Sequence, residues 1–189
     1  MKTLMNGILL GLGLLLSSAS PVAAKTIHFG GYDWAVRSGH GGPGPNTWDA
    51  SNVWLDASGA LQLKISHRDG KWACAEVTTQ KRMGFGRYQL QVAGRIDEFD
   101  DNVVLGLFDY PIRDVGVDEM NEIDIEIARW GRPTNPMGNF TLTGNASTHR
   151  LDWSSAWVLY KSLQGHRDDD QEEFARWTFE PADHLNRIA

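Results

Sequence analysis

Between Asn121 and Gly131 the chain reads NEIDIEIARWG, in which Glu122, Asp124 and Glu126 alternate with Ile123, Ile125 and Ile127. Successive side chains of a strand point to opposite faces, so residues two apart share a side. As a strand, the stretch places the isoleucines in one apolar row and the acids in another. β-Branched side chains suit a pleated, half-buried surface, and strict apolar/polar alternation marks a strand with one face on a core. Solvation is the simple account of the acidic face, since outward charges are ordinary. Two points stand against it: Asp is a poor strand former, and like charges on neighbouring same-face sites repel. Chemistry gives another account, because cleavage of a glycosidic bond needs two flanking carboxyl groups, one ionised and one protonated. In an extended strand the outer two acids lie roughly 13 Å apart at Cα, so two long Glu side chains must lean inward to approach the ~5–5.5 Å of a retaining pair. The shorter Asp fits between them.

Outward from this stretch, the ends of the chain set its class. Lys2, an apolar run from Ile8 to Leu16, and small residues up to Val22-Ala23-Ala24 follow the order of a secretory signal peptide cut after Ala24. The apolar run is too short to span a membrane as a helix, and no later stretch is longer, so a secreted or periplasmic protein without a membrane span is expected. Residues 25–189 then carry 17 of the 18 basic residues against all 24 acids, a formal charge of −7. Nucleic acid is excluded as a partner, because a phosphate-binding surface needs a basic excess. The single cysteine, Cys74, has no intramolecular disulfide partner and reads as a small apolar residue. No Cys/His cluster has metal-ligand spacing.

Short alternating or aromatic-rich segments, separated by Gly, Asn, Asp and Pro, predict an all-β sandwich in one domain over 25–189. Strands are expected at 26–29, 34–37, 53–55, 61–66, 72–79, 87–95, 103–109, 122–128, 139–143, 149–153, 157–163 and 173–178. Ala57-Ser58-Gly59 and Asp69-Gly70 are hairpin turns. The glycine-rich run from Ser38 to Trp48 is expected to be a loop. Trp34, Trp48, Trp72 and Trp153 are assigned to the core, and the run RDDDQEE from Arg167 to Glu173 to a solvated turn without EF-hand spacing. Trp130 shares the parity of the acids. If the strand runs on, its indole stands on the acidic face, where a sugar ring can stack.

EIDIE at Glu122–Glu126 resembles the active-site strand of glycoside hydrolase family 16, the laminarinase, lichenase and xyloglucan-transferase group, with signature E-(I/L/V)-D-(I/V/F)-E. Three more segments are similar to that family in the same order: NVWLDASGALQLKI from Asn52, GFGRYQLQVAGRI from Gly84, and HRLDWSSAWVLYKS from His149. The resemblance implies a concanavalin A-like jelly-roll β-sandwich whose concave sheet carries the acidic strand across a groove for a polysaccharide, a β-glucan above others. It implies a retaining double displacement with Glu122 as nucleophile, Asp124 as helper and Glu126 as general acid/base, and no cofactor. Crowding the three acids is expected to keep one protonated near neutral pH. Two departures keep a non-catalytic carbohydrate-binding sandwich open, alongside a transglycosylase. The family commonly has Trp shortly before the first Glu, where this chain has Asp118-Glu119-Met120-Asn121. The chain also stops at Ala189, where the family supplies further concave-sheet strands, so the domain is expected to be C-terminally incomplete, and monomeric if complete.

Overall fold

Alternation and turn chemistry yield strands throughout. The computed structural model describes residues 24–110, 122–134 and 139–180, and among these it has fifteen strands, two short 3-10 turns and no α-helix. Residues 1–23, which hold all but the last residue of the expected signal peptide, the stretch 118–121 before the first acid and the segment 181–189 lie outside the described residues. The chain divides into two compact units, Met1–Arg82 and Met83–Ala189.

In the first unit β1 (Thr26–Phe29), β2 (Tyr32–Val36), β3 (Gly39–Gly41), β4 (Asn46–Trp48), β5 (Val53–Leu55), β6 (Leu61–Leu63), β7 (Ser66–Arg68), β8 (Lys71–Ala73) and β9 (Val77–Thr79) follow in order. The first, second and ninth form an antiparallel sheet in the order β1-β2-β9, and the rest pair as hairpins β3–β4, β5–β6 and β7–β8. Both expected turns are present: Asp69 and Gly70 take φ of 50° and 73°, as a two-residue hairpin of the primed type needs. The glycine-rich run is a third hairpin, β3–β4, rather than a loop, turning at a cis Gly42–Pro43 bond.

The expected strands 61–66 and 72–79 are each broken in two, and Asn52 supplies the reason. Its buried side-chain amide donates to Ser66 Oγ and to the Ala73 carbonyl, both at 3.0 Å, while its backbone carbonyl accepts from the Lys64 amide at 2.9 Å, one step beyond the Val53–Leu63 pair. The Ala73 carbonyl thereby accepts from a side chain where β8 ends. Trp72 is not core: it is 65% exposed on β8 and packs on His67, with ring centroids 4.6 Å apart. Trp34 and Trp48 are half-buried, the latter beneath the Arg37 guanidinium.

The second unit holds β10 (Gly86–Ala93), β11 (Val104–Asp109), β12 (Ile123–Ala128), β13 (Ala146–Trp153), β14 (Val158–Gln164) and β15 (Glu173–Phe179). Four of these make an antiparallel sheet ordered β10-β13-β14-β15, and β11 pairs with β12 as a ribbon. Residues 139–143 form no strand. The core has two clusters: Ile123 packs with Leu151, Trp153 and Val158, and Ile127 with Ile96 and Leu142. Each such side chain contributes about 1.5–3 kcal/mol by leaving water. The isoleucine row is therefore not continuous, since Ile123 and Ile127 serve different clusters and Ile125 between them is only half-buried.

Arg150 is wholly buried, and its guanidinium donates to Gln89 Oε1, to Asp170 at 2.5 Å and to the Arg167 carbonyl at 2.7 Å. The nearly buried Lys161 reaches the same Asp170 at 2.6 Å. The run from Arg167 to Glu173 is thus no bare solvated turn. It supplies the counter-ion that two buried cations require. Among the described residues no helix is long and apolar enough to cross a membrane.

Candidate active site

β12 presents the acids because Ile123 and Ile127 are drawn into the core on its other face. The strand ends at Ala128, where the Arg129 guanidinium donates to the Phe99 carbonyl and pairs with Asp101 at 2.8 Å. Trp130 then turns into the left-handed region with φ of 54°. Strand parity stops two residues short of Trp130, so the premise that placed its indole on the acidic face fails. The ring is 55% exposed in the turn.

Across the ribbon, β11 sets Phe108 opposite Asp124 and Gly106 opposite Glu126. Gly106 sets no side chain opposite Glu126, and the exposed Phe108 ring lies 3.5 Å from where a Cβ at Gly106 would stand. Asp124, Ile125 and Glu126 border a cavity of about 310 Å³ whose other wall is Tyr160 of β14 and Trp177 of β15. Consecutive residues, and so both faces of β12, line it, which puts it along the strand edge that β11 leaves open. Tyr160 and Trp177 are register partners with rings stacked at 5.1 Å. Glu122 stands exposed just before β12 and does not line this cavity. The structure therefore joins Asp124 and Glu126 in one space, with Glu122 at its approach.

Both acids that border the cavity are shifted upward. Partial burial raises Asp124 above the ordinary carboxylate range, against a lowering backbone hydrogen bond. Glu126 is raised as well, first by lost hydration and then by the charges of Asp124 and Glu122. Glu126 as a residue is exposed, yet its carboxyl lies among enough atoms to lose part of its water shell. Crowding was expected to hold a proton on one acid; the upward shift of Glu126 owes more to desolvation. Tyr160 is pushed up to about 12 by burial and then by the Asp124 charge, so it stands as a neutral hydroxyl near that carboxyl.

Two cations also border the cavity, and both are engaged. Lys161 is bound to Asp170, and Arg176 makes two 2.8 Å bonds to Glu173. Asp168 and Asp169 accept from the Gln89 side chain and the Gln171 amide, so the aspartate run is spent on fixing its own loop. Sequence reasoning missed Tyr160 and Trp177. The signal for Trp177 was the alternation Ala175-Trp177-Phe179, which puts two aromatics on one face of β15.

No protein-family model and no curated protein matches the chain. Solved structures do. One is a prokaryotic β-1,3-1,4-glucanase (lichenase) derived from a mouse hindgut metagenome, with a TM-score of 0.54 at 24% identity over 76% of this chain and 72% of that one. Another is the β-glucanase of Bacillus licheniformis, with a TM-score of 0.55 at 20% identity over 85% of this chain and 80% of that one. Likeness at such identity is a likeness of fold. The resemblance carried by EIDIE and its flanks is met at that level: the chain has the all-β jelly-roll sandwich of the family 16 glucanases.

Proposed function

We propose that the protein is a secreted retaining endo-glycosidase that hydrolyses O-glycosidic bonds in a β-glucan, with Glu122, Asp124 and Glu126 as its machinery. One observation carries this reading: Asp124 and Glu126 open on one cavity beside an aromatic wall, with Glu126 held toward its protonated form. The two similar structures are named for β-glucan cleavage, one of them for the mixed β-1,3-1,4 polymer, and this favours the same substrate class here.

In the first displacement the Glu122 carboxylate attacks the anomeric carbon while Glu126 gives its proton to the departing glycosidic oxygen. The bond to that oxygen breaks as the ester to Glu122 forms. In the second, the Glu126 carboxylate takes a proton from water, whose oxygen attacks the anomeric carbon, frees Glu122 and leaves Glu126 protonated again. Asp124 lies between the two in sequence and on their face. From there it is the helper that holds Glu122, its own carboxyl raised by lost hydration.

Reducing-sugar release from a panel of mixed-linkage glucan, laminarin, galactan and xyloglucan tests this. Glu122→Ala is expected to abolish glycosyl-enzyme formation. Glu126→Ala should lose at least about 10²-fold on polymers yet keep activity on aryl glycosides, whose leaving groups need no proton. Glucan binding without release of reducing ends would instead assign the site to a carbohydrate-binding module, and transfer to an added acceptor to a transglycosylase. Equal and mild effects at all three positions would leave the acids a solvated face.

A further inference from the structure

Trp177 is the largest exposed aromatic on the wall facing Asp124 and Glu126, with 58% of its surface in solvent. It is not loose. Its indole stacks on Tyr160 with centroids 5.1 Å apart and planes 25° from parallel, and Phe179, two residues on along the same face, packs 5.8 Å away. A ring already held by a neighbour gives up little rotamer freedom when a ligand docks on it. Flat apolar faces of this kind suit the C–H face of a pyranose, and the position beside two carboxyl groups brings a stacked sugar to the acids. Trp130, by contrast, lies in the turn beyond β12 and borders no part of the cavity.

The charges narrow the ring to be stacked. Lys161 and Arg176, the cations at the wall, are already bonded to Asp170 and Glu173. A uronate or sulfate in the cavity would face Asp124 and Glu126 with no free positive partner among the described lining residues and would lose its hydration uncompensated. An uncharged hexose carries no such cost.

We propose that Trp177, backed by Tyr160, is the sugar-binding platform of this cavity and that it takes a neutral pyranose unit of the glycan. The inference rests on the reading of the cavity as a glycan site, but binding and cleavage are separable. In full-length protein carrying Glu122→Ala to stop turnover, affinity for a mixed-linkage β-1,3-1,4-glucan oligosaccharide is measured by titration calorimetry. Trp177→Ala is expected to raise Kd about tenfold or more, Trp177→Phe to restore most of the loss, and Trp130→Ala to stay within about twofold. Carboxymethylated glucan is expected to bind more weakly than the neutral polymer, most so at low salt.

Melting curves separate loss of platform from loss of fold, and Trp177→Phe serves as the folded control. An unchanged Kd in Trp177→Ala overturns the platform even where the parent enzyme cleaves glucan. Binding that depends on Trp177 in a protein without hydrolysis upholds the platform and removes only the glycosidase reading. Unchanged binding together with a dimer that becomes monomeric in Trp177→Ala on size-exclusion chromatography assigns the aromatic strip to self-association and overturns the proposal.

Discussion

A carboxyl that must deliver a proton needs an environment that lets it keep one, and Glu126 has that environment from two sources, lost hydration and two like charges. With Glu126 as the proton donor proposed above, activity is expected to fall as pH rises through its raised pKa. Asp124→Asn removes one of the charges, so the basic limb of kcat/KM against pH on mixed-linkage glucan should move to lower pH. A limb that stays or moves up would contradict the assignment of Glu126. The same substitution has a stability consequence of opposite value. Asp124 is raised on folding, which means its charged form is disfavoured in the folded chain at neutral pH. Asp124→Asn should then melt higher than the parent at pH 7, and the difference should close as pH falls and the parent's Asp124 takes up its proton. Higher stability with lower activity is the usual signature of a strained functional group. At this scale the acids were legible in the sequence because strand parity needs only local alternation. Parity alone could not place Trp130, because the strand ends at Ala128 and Trp130 is itself left-handed.

Elements show where local reading gives out. The hairpins at Asp69-Gly70 and Ala57-Gly59 were legible, since the turn residues themselves specify φ. The breaks within 61–66 and 72–79 were not, because they depend on one buried Asn52 that bonds to residues distant in sequence. The β14–β15 connection is a similar case. A run of acids reads as solvated until Arg150 and Lys161, buried on the adjoining sheet, are known to end on Asp170. Asp170→Ala leaves both cations without their carboxylate and should cost about 2 kcal/mol in urea unfolding, less than a fully buried pair would because Asp170 is half-exposed. Combining it with Arg150→Met and Lys161→Met should recover most of that loss, since an apolar replacement of a buried ionic group is often neutral. A triple variant less stable than Asp170→Ala alone would show that packing around Arg150, not its charge, dominates.

For the whole molecule the all-β class was legible from alternation and turn spacing. The pairing of β11 with β12 alone among the described residues was not, since strand order depends on non-local contacts. Acid response is the property in which such non-local burial becomes measurable. His149 lies inside the second unit, 1% exposed, with Nδ1 bonded to Ser162 Oγ and Nε2 to Ser147 Oγ, each at 2.9 Å, and the Phe174 ring edge-on to it. Burial lowers its pKa to about 4, against about 6.5 in an unfolded chain. The folded state thus binds the proton less readily, so its stability is whole above about pH 6.5 and is lost as pH falls toward 4, to a total of about 3 kcal/mol. Asp97 continues the trend further down. Two hydrogen bonds from Arg95 and one from the Leu142 amide hold it at about 2, so its contribution is present above the ordinary Asp range near 4 and fades toward 2. Asp124 and Glu126 act in the opposite sense and offset part of the upper stage. Melting temperature should therefore fall in two steps, first between pH 6.5 and 4 and again below 4. His149→Gln, which keeps a hydrogen-bonding side chain that does not titrate, should flatten the first step and leave the second. A melting temperature level from pH 7 to 4.5, or a first step that survives His149→Gln, would place the acid sensitivity elsewhere in the molecule.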